Sequence, residues 1–206
     1  MTSALDKKST EEKIKEAARI VFYKKGFAAT RTRDIAEQAD INLALLNYYF
    51  RSKQKLFEVI MLEVLTGFIK NLVIALNNDQ TTFEDKIQDI AIRYIDLISK
   101  EPEIPTFIIT EIRNNPQLLL KHLPIKEIMS NSVFFKQHKE LVTQKRISEP
   151  NPLHFLMNMM GLIVFPFIIK PLLIGSQNIQ LEEFDRLMQD RKKLIPIWIQ
   201  SMFIIK

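Results

Sequence analysis

The residues best suited to chemistry in this chain lie close together between Thr32 and Lys53. Asn42-Leu43-Ala44-Leu45 opens a short run, and Asn47-Tyr48 follows one turn later. Leu46 and Phe50 recur on the other side, with Ile41 before them. A helix over 43–50 therefore buries those three and turns Leu43, Ala44, Asn47 and Tyr48 outward, with Leu45 at the edge. Asn42 is a good N-cap, able to satisfy a free N–H of the first turn. A preceding short helix is expected at about Thr32–Ala39, with Ile35 and Ala36 inward and Ala39 small where the two helices approach. With the turn Asp40-Ile41-Asn42 this is the anatomy of a helix-turn-helix. The second helix of such a unit presents its N-terminal residues to base edges in the major groove. The chemistry implied is recognition, with no covalent bond made or broken.

Other chemistries find no support. The chain has no cysteine, which excludes a disulfide scaffold, Cys-ligated zinc, an iron–sulfur cluster and thiol catalysis. The four glycines, Gly26, Gly67, Gly161 and Gly175, are too far apart for a phosphate-cradling loop. His122, His138 and His154 are the only histidines and none has His-x₃-His spacing. No metal site and no cofactor are expected, and each histidine reads as a surface or hydrogen-bonded residue, although His138 or His154 could line a pocket. No Ser/His/Asp order or carboxylate pair stands out, so no catalytic residue is assigned and the chain does not read as an enzyme.

The elements that must position residues 42–48 are helical. Of 206 residues, 47% are hydrophobic and 26% charged, and the formal net charge is +5. Residues 1–60 carry 12 basic against 8 acidic side chains, whereas 61–206 carry 17 against 16. The excess sits in the first third, where a polyanion would bind. Lys7, Lys8, Lys24 and Lys25 read mainly as solvated surface. Met1–Thr10 is polar and lacks an apolar signal core, so a cytoplasmic location is expected.

Ile14, Ala17, Ala18, Val21 and Phe22 form the stripe of a first helix, with Ser9 and Glu12 as a capping box and Gly26 as its stop. Ser52 can cap a long helix from Lys53 to about Asn77, with Leu56, Phe57, Ile60, Val64 and Phe68 on one side. Phe83, Ile87, Ile90, Ala91, Tyr94 and Ile98 mark a helix that ends near Pro102. A shorter one is expected over Ile104–Arg113 and a long amphipathic one over Ile125–Arg146. After the break at residues 148–152, Leu153–Gly175 is almost wholly apolar, and a last helix carries Leu181, Phe184, Leu187, Met188, Ile195, Trp198 and Met202. No strand pair, repeat or low-complexity tract is found. The chain reads as all-α, with about nine helices.

The run Thr32-Arg33-Asp34-Ile35-Ala36, then Leu46-Asn47-Tyr48-Tyr49-Phe50-Arg51-Ser52-Lys53, resembles the TetR family of bacterial transcriptional regulators, and Lys25-Gly26-Phe27 before it fits. The resemblance covers roughly residues 10–60; the rest matches in being helical and in ending with two strongly apolar helices. It implies a three-helix DNA-binding domain at 8–55, followed by a larger helical ligand-binding and dimerisation domain at 56–206. By position, Thr32 or Arg33 would touch phosphate, and Asn42, Leu43, Ala44, Leu45, Asn47 and Tyr48 would face the groove. Tyr49 and Lys53 occupy positions that in the family bind backbone phosphates. Phosphate contacts fix register, while the face of 43–48 decides sequence.

Four positions depart from the family pattern and bear on the turn and on specificity. Asp40 stands where a turn glycine is common, and Asp tolerates the left-handed conformation better than most residues. Leu43 and Leu45 replace a frequent Lys and a small polar residue, and Asn47 replaces the usual aromatic. Apolar contact with thymine methyls and an Asn47 bond to adenine then point to an A·T-leaning site.

The implied partners are double-stranded DNA, a second copy through helices near 153–175 and 181–204, and a small, largely apolar effector. Two recognition helices about 34–36 Å apart call for a near-palindromic operator. Residues 80–150 would enclose the pocket, with Phe68, Tyr94, Phe107, Phe134, Phe135, His138 and Met157 as candidate lining. The apolar run near 155–169 holds about 15 residues, short of the roughly 20 that span a bilayer. No membrane partner is expected. Two other readings stay open: a membrane-peripheral helical protein, and an adaptor whose DNA helix is vestigial.

Overall fold

The computed structural model describes residues 2–117, 120, 131–176 and 179–203, with side chains from Thr10 onward. Every regular element among them is an α-helix. In chain order these are α1 (Thr2–Ala29), α2 (Thr32–Gln38), α3 (Leu43–Phe50), α4 (Lys53–Asn77), α5 (Phe83–Lys100), α6 (Ile104–Asn114), α7 (Val133–Thr143), α8 (Pro152–Gly175) and α9 (Leu181–Ser201). The chain divides into two compact units, residues 1–67 and 68–206. The division lies further along α4 than a boundary at 55/56, because Leu56, Phe57, Ile60 and Val64 are buried within the first stretch of α4.

In the first unit the α1 stripe of Ile14, Ala17, Ala18, Val21 and Phe22 is buried as its period requires. Lys15 bonds Glu63 on α4 at 2.7 Å and Glu12 on its own helix at the same distance. Gly26 breaks the α1 geometry at φ 72°, ψ 169°, a conformation that only glycine adopts at low cost. The Thr30 hydroxyl then donates to the Gly26 carbonyl at 2.7 Å. Because α1 begins at Thr2, Ser9 lies inside it and is not its cap. Helix formers on both sides of Ser9 carry the helix through.

The second unit is built around α5, whose face from Phe83 through Ile98 is buried. Phe155, Met159, Ile163 and Phe167 of α8, spaced four apart, and Phe184, Met188, Ile195 and Ile199 of α9 close the same core. The long helix expected over Ile125–Arg146 is corrected at both ends. Ser132 is extended (φ −68°, ψ 148°) and its hydroxyl accepts from the Phe135 N–H, so α7 starts at Val133 and stops at Thr143. Residues 125–130 lie outside the described residues, as does His122.

Helix α8 runs through Pro166 and Pro171. Pro166 has no N–H for the Leu162 carbonyl four residues back. Arg191 of α9 supplies the missing donor, with its guanidinium at 2.7 and 3.3 Å from that oxygen, and it also lies 5.0 Å over the Trp198 ring. Arg191→Ala is expected to cost about 2–3 kcal/mol. In that background Pro166→Ala should restore about 1 kcal/mol, since the new N–H reaches Leu162 within the helix. Urea unfolding of the four proteins of this cycle measures the coupling, and strict additivity would reject the pairing.

Two helices, Lys53–Asn77 and Pro152–Gly175, are long and apolar enough to cross a membrane by length and composition. The continuity of α8 through its prolines makes it longer than the apolar run counted from sequence. Only one of its stripes is buried. Met157, Phe165 and Leu172 stand on its exposed side, and Leu187, Leu194 and Ile197 do so on α9.

Candidate nucleic-acid interface

The turn between α2 and α3 closes by backbone bonding alone. Asp40 adopts φ 51°, its N–H reaches the Glu37 carbonyl at 3.1 Å and the Ile41 N–H reaches Ala36 at 3.0 Å. This is a Schellman closure, with Asp in the left-handed position that glycine commonly fills. Asn42 is extended and its side-chain oxygen accepts from the Leu45 N–H at 2.8 Å, so α3 is capped as its sequence requires.

Leu46 and Phe50 are buried together with Ile35, Ala36 and Ala39. They hold α3 by its inner side. Asn42, Ala44, Asn47 and Tyr48 are exposed, while Ile41, Leu43, Leu45 and Tyr49 are half-buried. Tyr48 shows 66% of its surface and meets the Tyr49 ring edge-on at 5.4 Å. The arrangement displays an amide, a phenol and small apolar groups on one short, fixed helix. Such groups can bond adenine edges and pack on thymine methyls.

Around α3 the structure brings several cations. Thr32 opens α2 half-buried, with Arg31 and Arg33 exposed on either side of it. Asp34 accepts from the Arg31 N–H at 2.9 Å and pairs with Lys25 at 3.0 Å. The Arg31 amide first, and Lys25 after it, hold the Asp34 carboxyl below the usual carboxylate range. Arg51, directly after α3, is exposed at φ 54°. Sequence reasoning assigned no role to Arg31 or Arg51, although their positions at helix boundaries beside the turn are readable from the capping pattern.

Lys53 sits differently from a purely phosphate-facing side chain. Its ammonium donates to the carbonyls of Phe27 and Thr30, each at 2.8 Å, and lies 4.2 Å over the Phe27 ring. Two of its three donors therefore tie the start of α4 to the end of α1. Ser52 caps α4 through the Lys55 N–H at 3.1 Å.

The seven residues named from sequence as an effector pocket are only partly assembled. Phe68 and Tyr94 meet at 4.5 Å, and the Tyr94 hydroxyl donates to the Phe68 carbonyl at 2.6 Å. Burial pushes the Tyr94 phenol well above its ordinary pKa. Phe134 and Phe135 are in contact at 5.6 Å. Phe134 stacks on Phe83 at 4.5 Å, and His138 touches the same Phe83 at 5.9 Å. Phe107 is buried on α6 but is not among the residues of that core cluster. Met157 is corrected: it is 60% exposed on the outer side of α8, because the buried stripe of that helix runs through Phe155 and Met159.

Comparison with known proteins gives the same assignment for the first unit. Residues 14–60 match the pattern described as "Bacterial regulatory proteins, tetR family". The chain is 27% identical over 202 residues to the "Probable HTH-type transcriptional regulator YttP" of Bacillus subtilis, covering 96% of this chain and 95% of that one. It is 31% identical over 102 residues to the "HTH-type transcriptional repressor NicS" of Pseudomonas putida, half of this chain and 48% of the other. Among solved structures, the haemolysin II transcriptional regulator HlyIIR is similar in fold, with a TM-score of 0.62 at 20% identity over 97% of this chain and 99% of that one.

Proposed function

This chain belongs to the TetR family of bacterial regulatory proteins, a DNA-binding transcriptional regulator and not an enzyme, and from there we propose that it is a homodimeric repressor released from a near-palindromic operator by a small, largely apolar effector. The observation that carries the reading is α3 itself: a capped helix, locked by Leu46 and Phe50, with Asn47 and Tyr48 exposed together. Asn42, Leu43, Ala44, Leu45, Asn47 and Tyr48 form the groove-facing set. Thr32, Arg33 and Tyr49 contact phosphates. Lys53 holds the α1–α4 corner with two protons and offers the third to the backbone. A DNA target supports a cytoplasmic location.

The dimer surface is the exposed apolar side of α8 and α9. Contiguous apolar surface of this kind, on a chain with an ordinary hydrophobic content, marks an interaction site. A two-fold interface uses the same patch on each copy, and Phe165, Leu172, Leu194 and Ile197 supply it. Repression is favoured by the similarity to NicS, whose name records a repressor. Helix α4 carries the chain from the first unit into the second, so an effector bound among α5–α8 acts through it. Release requires that the effector prefer the conformation unfit for DNA. A coupling of about 1–3 kcal/mol gives a loss of operator affinity of about 5- to 150-fold.

Fluorescence anisotropy on the intergenic DNA flanking its own gene, at two salt concentrations and with random competitor, tests the DNA reading. Binding that survives competition is expected; weak binding lost with salt alike for every sequence would leave only a basic surface. Sedimentation tests the dimer. Phe165→Asp is expected to convert it to monomer and to lower operator affinity at least tenfold, because each monomer reaches one half-site. A wild-type monomer would remove the dimer from the proposal, and a wild-type protein that partitions to liposomes and ignores duplex DNA would favour the membrane-peripheral reading.

A further inference from the structure

Beyond α9 the backbone bends back, and the Phe203 carbonyl accepts from both the N–H (2.9 Å) and the hydroxyl (3.3 Å) of Ser148. This docks the half-buried Phe203 ring against Phe83 at 5.7 Å and Phe155 at 5.4 Å. The same two rings flank His138, at 5.9 and 5.3 Å. His138 is 1% exposed, and no group among the described residues bonds its Nε2. A buried nitrogen without a partner is uncommon in folded proteins and calls for an explanation.

The chemistry of that nitrogen is defined. Burial lowers the His138 pKa, so the ring is neutral near pH 7. Its hydrogen bond with the Glu149 backbone favours the protonated form, which makes the ring the donor there, through Nδ1. Nε2 is then a bare acceptor. A partner for it must bring an O–H or N–H and must be otherwise apolar to lie among phenylalanines.

We propose that Phe203 is the removable plug of a small-molecule site, in which an aromatic ligand carrying one hydrogen-bond donor takes the place of the Phe203 ring against Phe83 and Phe155 and donates to His138 Nε2. Phe203 suits the role because it lies outside any helix and is held by few backbone bonds, its N–H to the Gln200 carbonyl at 3.0 Å and its carbonyl to Ser148, so releasing it costs at most the last turn of α9. The site reuses His138 from the sequence-based list but joins it to Phe83, Phe155 and Phe203, which that list did not contain. The inference rests on the regulator reading for its use as an effector site. Its test contains no DNA, so either can fail without the other.

Calorimetric titration with 4-ethylphenol and with ethylbenzene, which lacks the donor, checks it. Phe203→Ala is expected to bind 4-ethylphenol at least tenfold more tightly than the wild-type protein does, and to bind ethylbenzene about fivefold more weakly than 4-ethylphenol. Adding His138→Phe to Phe203→Ala should erase the preference between the two probes. Phe203→Leu, a milder vacancy, should show an intermediate gain of about threefold and carries the test if the alanine variant does not fold. Equal affinity of wild type and the Phe203 variants for 4-ethylphenol, or equal binding of the two probes, overturns the proposal.

Discussion

Asn47→Glu is expected to lower affinity for the duplex that the wild-type protein selects from a randomised library by about 100-fold or more, with the melting temperature unchanged within about 2 °C. Asn47 is exposed on α3 and its side chain serves no cap or core contact in the described hydrogen bonds. Loss of one good bidentate base contact is worth about 1–3 kcal/mol, or about 5- to 150-fold. A carboxylate set beside two phosphate backbones adds repulsion to that loss. Stability should not suffer, since Glu is a better helix former than Asn. Asn47→Ala, which adds no charge, should lose less than Asn47→Glu and keep the salt dependence of the wild type. If Asn47→Glu binds within threefold of wild type, α3 does not read the groove and the adaptor reading moves ahead.

The largest expected effect on stability belongs to Phe57→Ala, at about 3–5 kcal/mol. Phe57 is 2% exposed on α4 and meets Phe22 of α1 edge-on at 4.9 Å and Phe27 at 4.7 Å. The Lys53 ammonium lies over the same Phe27 ring, 4.2 Å from its centre. Removing the Phe57 ring therefore leaves a cavity at the point where α1, α4 and the Lys53 tether converge. With typical urea slopes of about 1–3 kcal/mol per molar, the midpoint for the first unit should fall by more than about 1 M. DNA binding should disappear with it, while the helices of the second unit, whose core is separate, keep their circular dichroism. A loss below about 1 kcal/mol would mean that this aromatic cluster is not the keystone of the unit.

Much of the recognition unit was legible because its signals are local. Ser52 as the α4 cap, Asn42 as the α3 cap and Leu46 and Phe50 as the inner side each depend on a few neighbouring residues; Gly26, read as the stop of α1, breaks its geometry, although the helix runs on to Ala29. Periodicity in the second unit likewise placed α5, α6, α8 and α9 within a residue or two of their ends. The misreadings have the same origin seen from the other side. Ser9 and Glu12 satisfy a capping pattern inside a sequence that remains helical, and nothing local forbids continuation. Ser132 breaks a periodic stretch that reads smoothly across it. Met157 lies two residues from Phe155 and from Met159 on α8, so helix phase, and not composition, puts it outside.

The proposed effector site was least legible, since a pocket is a relation among distant side chains. Phe83, Phe155 and Phe203 read individually as core or trailing residues, and the meeting of Phe83 and Phe155 with both His138 and Phe203 appears only when α5, α7, α8 and the segment after α9 are in place. Arg191 is a comparable case. Pro166 announces a carbonyl without its donor, but the donor comes from a helix 25 residues further along the chain.

By itself, then, the amino-acid order determined that this protein is all-α, where the second helix of its helix-turn-helix begins and ends, and which side of that helix is displayed, because caps, turns and helical stripes are set by interactions within a few residues. Tertiary structure alone decided that Lys53 spends two donors on the end of α1, that Arg191 completes the α8 backbone, and that His138, between Phe83 and Phe155, has a nitrogen with no partner among the described residues. Those outcomes depend on which groups meet across the core, and a buried polar atom acquires its meaning only from the neighbours that packing supplies or withholds.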